Sequence, residues 1–163
     1  MKQEILIAIV AASSALCGVI ISQTISLLQS FLNKKHEKQK LLRQKYEEMM
    51  FHFSDSLQWI QQVNMCRTQQ EIFALAQCPE TRKALSLCLL YFPDLSGPAN
   101  DYLLAQLSYY EFIIKNFNEN IPVTAGGQAF NKPEYKTPTD NLFAKKNHFE
   151  NLIISTAKKY TKA

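Results

Sequence analysis

The sequence has few glycines and none of the common catalytic motifs. Only four of its 163 residues are glycine, and the one adjacent pair, Gly126 and Gly127, lacks the pattern of a phosphate-binding loop. The motifs of zinc proteases, serine hydrolases and calcium loops (H-E-x-x-H, G-x-S-x-G and D-x-D-x-D-G) are also absent. We therefore expect a protein that is not an enzyme. An enzyme whose site no motif reveals stays the alternative.

The cysteines and histidines do not form a ligand pattern. Cys17 lies in an apolar segment, and the other three cysteines have no C-x-x-C spacing. A disulfide framework and a zinc site are therefore not indicated, and we expect neither a metal nor a cofactor. The pattern favours reduced, mostly buried thiols in a cytoplasmic domain. The residues concerned are Cys17, Cys66, Cys78, Cys88, His36, His52 and His148.

Charge is absent from a long N-terminal run. Ile5 to Leu32 contains no charged residue over 28 positions. As a helix this run is about 42 Å long, more than the roughly 30 Å of the hydrocarbon core. We therefore predict a single-pass transmembrane anchor over residues 1–32 and a helical domain over residues 33–163.

Three alternatives compete with a membrane anchor. Ser13-Ser14-Ala15 would suit cleavage of a signal peptide, although the only basic residue before it is Lys2. A lipoprotein signal at Cys17 is rejected, because Leu16 stands where a small residue is needed. The third alternative is a buried core helix of a soluble protein. Such a helix usually shows a polar stripe, so a charge-free run of this length argues against this alternative.

The flanks of the run predict its orientation. The N-terminal flank has one lysine, Lys2, whereas six basic residues and one acid follow Leu32 within thirteen positions. By the positive-inside rule the N-terminus lies outside and the C-terminal domain is cytoplasmic, in the inner membrane of the cell. The cluster also suits contact with anionic lipid, and nucleic acid is the less favoured partner. The basic residues are Lys34, Lys35, Lys38, Lys40, Arg43 and Lys45.

Small residues recur every four positions within the run. Ser14, Gly18, Ser22 and Ser26 form this ladder, and Ser30 extends it. Small residues at this spacing let two helices approach closely, and serine hydroxyls bond across the contact. The ladder predicts a homo-oligomer formed through the span. The alternative is a chance pattern, because small residues are common in spans.

After the run, the apolar residues follow helical spacing. A stripe at alternating intervals of four and three predicts that the span continues as one helix over residues 33–64. Trp59 lies off this stripe and is expected to pack on a neighbouring helix. No period-two run of useful length appears, so the predicted fold is all-α, with a bundle of about four helices. The stripe consists of Leu42, Tyr46, Met49, Phe53, Leu57 and Ile60.

Four further helices are predicted from their end signals. Thr68 and Glu71 have the spacing of a capping box, which opens a short helix over residues 68–76. Pro79 begins a helix over residues 79–91 that Pro93 ends, and its leucines predict the most buried helix of the bundle. Ser96-Gly97-Pro98 predicts a break and a new start, with a helix over residues 98–118 whose inner face contains Leu103, Leu107, Tyr110, Ile114 and Phe117.

The longest predicted loop covers residues 118–140. It holds two of the four glycines and three of the six prolines. Loops of this length are often functional, so this one is a candidate contact surface. Thr139 or Asp140 is expected to cap a last helix over residues 141–159, with an inner side of Leu142, Phe149, Leu152, Ile153 and Tyr160.

One short segment carries a resemblance. The helix that ends in Leu90-Tyr91-Phe92-Pro93-Asp94-Leu95, together with a single N-terminal span and a basic helical stalk, resembles a loose class of small, uncharacterised bacterial membrane-anchored helical proteins. The likeness covers the general layout and about six residues, and it implies no activity.

These features favour an interaction or scaffold module over two alternatives. The expected function is to present a helical bundle at the cytoplasmic face to a protein partner, with the 118–140 loop as part of the contact. A self-assembling effector that perturbs the membrane, of toxin or defence type, is the first alternative, motivated by the serine ladder and Gln23. An enzyme without a motif is the second. His52 and Asp55, three positions apart, are expected to form a charged surface pair.

Overall fold

The computed structural model describes residues 2–75, 77–117 and 133–161. They form helices α1 (Lys2–Met65), α2 (Gln69–Ala74), α3 (Pro79–Tyr91), α4 (Pro93–Asn116) and α5 (Lys136–Thr161), with a 3-10 helix over Pro133–Tyr135 before α5. No strand occurs in these ranges. The all-α prediction is confirmed, as is a long apolar N-terminal helix followed by a helical bundle.

The chain divides into a first compact unit of residues 1–41 and a second of residues 42–162. Helix α1 supplies residues to both, and it is continuous over Lys2–Met65, as predicted for the span and the segment after it. The predicted boundary between anchor and domain, at residues 32–33, is the point where the helix is expected to leave the membrane. It stays a prediction.

The core of the second unit begins with the predicted stripe of α1. Tyr46, Met49, Phe53 and Ile60 are buried, because residues three and four apart share one face of a helix. Trp59 is also buried, and its ring packs 5.8 Å from that of Tyr110. The predictions for the stripe and for Trp59 are confirmed.

Aromatic contacts join α1 to α4 and α5. The ring of Phe53 lies 5.3 Å from Phe149 and 5.8 Å from Tyr102. The Tyr46 hydroxyl donates a hydrogen bond to the carbonyl of Ile153. Since residue numbers fall along α5 as they rise along α1, these two helices are antiparallel in the bundle.

The capping box at the start of α2 is confirmed. The Glu71 amide donates to the Thr68 hydroxyl at 3.1 Å, and the Glu71 carboxylate accepts from the Arg67 amide at 2.6 Å. The first bond satisfies an amide of the first turn, and the second holds the amide of Arg67, the residue before the cap. The helix ends at Ala74, two residues before its predicted end.

Helix α3 has its predicted bounds, but it is not the most buried helix. Leu89 and Leu90 are 64% and 74% exposed, and only Thr81, Ala84, Leu87 and Cys88 are buried. Helix α4 has the larger buried set. The prediction counted apolar residues without regard to direction, whereas a helix on the edge of a bundle buries one face.

Helix α4 starts at Pro93, so the predicted break at Ser96-Gly97-Pro98 is wrong. Phe92 alone separates α3 from α4, and its carbonyl accepts from the Leu95 amide at 2.9 Å. Pro93 suits the first position of a helix, and Pro98 removes only one hydrogen bond of the early helix. The buried face also differs from the predicted one: Leu103 and Tyr110 are buried, but the main stripe is Leu95, Ala99, Tyr102, Gln106, Tyr109 and Ile113.

Helix α5 starts five residues before its predicted first residue. The predicted loop is therefore helical over residues 133–140, and its remainder, residues 118–132, lies outside the described residues. Thr139 is inside the helix and donates to the Tyr135 carbonyl at 2.8 Å instead of capping it. Pro138 is tolerated because it occupies the first turn, where amides lack helical partners. The inner side is confirmed: Leu142, Phe149 and Ile153 are buried, and Leu152 and Tyr160 are half-buried.

Candidate functional site

From Leu16 to Leu32, helix α1 exposes its apolar side chains. Within the described residues, one helix is long and apolar enough to cross a membrane, and none of its apolar window is buried inside the chain. Leu27 and Phe31 are 73% and 68% exposed. By its length and composition this helix is compatible with a membrane span.

The predicted ladder lies on the surface of this helix. Ser14, Gly18, Ser22 and Ser26 are all exposed, and a Cβ atom added to Gly18 meets nothing within 4 Å. Ser14 has an interaction of its own within the chain. Because four residues exceed one helical turn by about 40°, Ser14 and Ser26 lie about a third of a turn apart. The ladder is therefore spread over two faces.

The C-terminal part of this segment is amphipathic. Ser22, Ser26, Gln29, Ser30 and Asn33, here called the polar face, fall within an arc of about 100° at 3.6 residues per turn. The apolar side chains occupy an arc of about 160° on the other side. They are Ile20, Ile21, Ile25, Leu27, Leu28, Phe31 and Leu32, and all are exposed.

A shallow hollow follows the polar face. Ser26, Gln29, Ser30 and Asn33 line it, and Lys34 and Glu37 extend it towards the C-terminus. The sequence contains the signal for this feature, since polar residues recur at intervals of three and four from position 22 to position 33.

The basic cluster surrounds the helix. Lys34, Lys35, Lys38 and Lys40 are exposed and point to different sides of α1, since successive residues are about 100° apart. Arg43 and Lys45 differ from these four, because Arg43 pairs with Glu47 at 2.9 Å and Lys45 with Glu48 at 2.7 Å. The hydrogen bond to Glu48 raises the pKa of Lys45. These four lysines therefore present positive charge on several sides of the helix.

The bundle holds a buried polar network that the sequence predictions missed. The Tyr102 hydroxyl accepts from the Gln106 amide at 2.9 Å and shares a hydrogen bond with Ser56 at 3.1 Å. The Gln106 carbonyl accepts from the Thr81 hydroxyl at 2.5 Å. Burial raises the pKa of Tyr102 to about 12, so its hydroxyl is neutral at physiological pH. In the described residues, every buried side-chain polar atom has a partner, so this network joins helices and offers no open site.

His52 has a different partner from the predicted one. Its Nδ1 lies 2.6 Å from the Glu80 carboxylate of α3, and Glu80 also accepts from Lys83 at 2.8 Å. The bond from Lys83 lowers the pKa of Glu80, and His52 adds to this effect. The proposed surface pair with Asp55 is thus wrong, because tertiary packing places α3 beside His52. Both side chains are largely shielded, and among the described residues no third acid or histidine joins them.

The thiols of the bundle are poorly placed for chemistry. Cys66, Cys78 and Cys88 are buried, as predicted, and Cys17 is exposed. Burial raises the pKa of Cys78 and of Cys88 to about 12, which keeps both as unreactive thiols. Among the described residues, no three histidine, cysteine or acidic side chains stand close enough to hold a metal ion.

The exposed helix with its polar face is therefore the candidate functional site. No family model, no curated protein and no solved structure matches this chain.

Proposed function

We propose that the chain is a single-span protein of the cytoplasmic membrane whose helical bundle acts as an interaction module. The main observation that supports this proposal is that every apolar residue of α1 from Leu16 to Leu32 is exposed. About 25 cal/mol is gained per Å² of apolar surface removed from water, so hydrocarbon is the favoured surrounding of this segment. The basic residues after Leu32 favour a cytoplasmic bundle.

The bundle itself supports a binding role more than a catalytic one. Its core is closed by aromatic contacts, and its polar network is satisfied from within. Its described surface exposes large apolar side chains, among them Leu89, Leu90, Phe73 and Phe143, and such side chains are available for a protein contact. The partner, under this proposal, is a protein held near the membrane.

Crosslinking in intact cells tests this proposal. The protein is kept at its native level, and crosslinked peptides of the membrane fraction are identified by mass spectrometry. A distinct second protein joined to residues 34–163 would support the interaction module. Recovery of the chain in the soluble fraction would refute the membrane anchor. Crosslinks between copies of the chain alone would refute its role as an interaction module for a second protein.

The contribution of the segment before α5 is tested separately. Residues 118–132 are replaced by a glycine-serine stretch of equal length. The replacement ends before Tyr135, whose ring lies 6.0 Å from the rings of Tyr109 and Phe112 in the unaltered chain. If this segment binds the partner, crosslinking falls while thermal unfolding of the bundle is unchanged. Unchanged crosslinking would move the contact to the helices.

A membrane-perturbing effector is the second candidate, and the polar face favours it. Several copies that turn this face inward would enclose a polar path through the bilayer. Overexpression should then depolarise cells, and Gly18→Leu should suppress the effect by blocking close approach of helices. The variant is informative because a Cβ at Gly18 meets no atom of the same chain within 4 Å. Unchanged membrane potential on overexpression would rule this candidate out.

A further inference from the structure

We infer that the polar face of α1 binds the same face of a second copy, so that two chains pair as parallel helices through residues 22–33. The inference rests on the proposed function, since it assumes that this helix lies in a membrane. It goes further by naming the face, the partner and the residues that hold the pair together.

The shape of the hollow fits a helix. Ser26, Gln29, Ser30 and Asn33 stand at positions i, i+3, i+4 and i+7 and enclose the hollow between them. Four residues at this spacing form the hole that receives one side chain of a facing helix in knobs-into-holes packing. Ser26 and Ser30 are small, so the second backbone can approach closely here, as it does at small residues between membrane helices.

The chemistry of the face selects a polar partner over lipid. Each carboxamide has two donors and an acceptor. Gln29 lies within the predicted span, where hydrocarbon offers no partner for its carboxamide, and Asn33 follows at the boundary of the span. Thr24, on the apolar side, satisfies its hydroxyl within its own helix by donating to the Ile20 carbonyl at 2.8 Å. The longer Gln29 and Asn33 side chains project into the surroundings, where both are exposed. An interhelical contact supplies the partners that lipid lacks.

A second copy is the partner that this face complements. A carboxamide both donates and accepts, so Gln29 and Asn33 each pair with their own counterpart across a twofold axis. A polar asparagine at one seam position favours a two-stranded, in-register, parallel pair. Lys34 and Glu37 extend the same hollow with opposite charges, and because they are three positions apart, Lys34 of one copy lies within one helical turn of Glu37 of the other. Copies inserted with one topology are necessarily parallel.

Cysteine scanning of the full chain in lipid vesicles tests the pair. Single cysteines replace Gln29, Asn33 or Leu28 in a Cys17→Ser background, and an oxidant then forms disulfides between copies. Leu28 is the matched control, because it is next to Gln29 in sequence but about 100° away around the helix and on the apolar arc. Wild-type Cys17 is a second control, since nine residues separate it from Ser26 and place it on the opposite side.

The expected result is disulfide dimer for Gln29→Cys and Asn33→Cys, at least tenfold more than for Leu28→Cys or for Cys17. The remaining cysteines, Cys66, Cys78 and Cys88, are buried and contribute little. Equal or greater dimer from Leu28→Cys, or no dimer from any variant in chains that resist alkaline extraction, would overturn the inference alone. Chains removed from membranes by alkaline extraction would overturn the proposed function as well.

A second measurement does not depend on disulfide geometry. Interhelical hydrogen bonds in membranes average about 0.6 kcal/mol, which corresponds to about a threefold change in association constant. Gln29→Leu should weaken the dimer by at least this factor when energy transfer between labelled chains is measured in vesicles. Thr24→Leu, which removes a hydroxyl bonded within its own helix, should leave the dimer unchanged. Equal effects of the two substitutions would contradict the assigned face.

Discussion

Tyr102→Phe should weaken the bundle through one lost hydroxyl. Tyr102 is fully buried, and its hydroxyl accepts from the Gln106 amide at 2.9 Å. Without it, the amide keeps only a long contact of 3.4 Å to the Ser56 carbonyl, whereas the Ser56 hydroxyl keeps its bond to the Phe53 carbonyl at 2.5 Å. One buried donor thus loses its good partner, and the expected loss of unfolding free energy is about 1–3 kcal/mol.

The single tryptophan makes this measurable in the full chain. Trp59 is 4% exposed and belongs to the core of the second unit, so its fluorescence in detergent-solubilised protein reports on the bundle during urea unfolding. Tyr160→Phe is the control, since its hydroxyl is 3.4 Å from Asp94 at an exposed site and should matter by less than about 0.5 kcal/mol. Equal unfolding free energies for the two variants would refute the assignment of the network as a stabilising element.

Three further outcomes are expected. The pKa of Tyr102 is raised to about 12 in the folded chain, so its stabilising contribution is complete below about pH 10 and is lost as pH rises towards 12; Tyr102→Phe should flatten that part of the urea-midpoint profile. The pKa of Glu80 is lowered, so its contribution is present above about pH 4.5 and is lost as pH falls through the lowered value; Glu80→Gln should reduce the acid sensitivity of the same midpoint. Phe149→Ala should cost about 3–5 kcal/mol in urea unfolding and Leu90→Ser less than about 0.5, because Phe149 is fully buried and Leu90 is 74% exposed.

Local signals predicted the elements whose ends are set by neighbouring residues. Pro79 and Pro93 bracket α3 correctly, because proline both favours a first turn and prevents continuation. The capping box of Thr68 and Glu71 and the stripe of α1 were likewise predictable from spacing alone. Each of these features depends on backbone geometry within one or two turns.

Predictions from local signals were wrong where tertiary contacts determine the structure. Gly97 and Pro98 were interpreted as a break, but Leu95 and Ala99 on either side are fully buried, and their packing carries the helix through. His52 was assigned the nearest acid in sequence, whereas α3 brings Glu80 to it from 28 positions away. Gln106 lies on a stripe between Tyr102 and Tyr109, so its burial was visible in the sequence, but its partners were not.

The candidate site divides in the same way. The apolar run, the ladder and the basic cluster are properties of one helix and were found from the sequence. The hollow along residues 26–37 could not be predicted from the sequence, because it depends on the positions of the side chains that line it. The occupant that we propose, a second copy of the chain, is tested by the cysteine-scanning experiment.

The long separation between core partners has a consequence for synthesis. Tyr46 precedes Ile153, to which its hydroxyl donates, by 107 positions, whereas only Phe92 separates α3 from α4. Loop-closure entropy therefore favours early pairing of α3 with α4. At about 5–20 residues per second, a ribosome needs roughly 4–15 s to reach α5 after completing the stripe of α1. Throughout that interval the apolar stripe of α1 is not yet packed against α5. We therefore expect a chain truncated before Phe149 to expose this stripe and aggregate, and not to fold as a smaller domain.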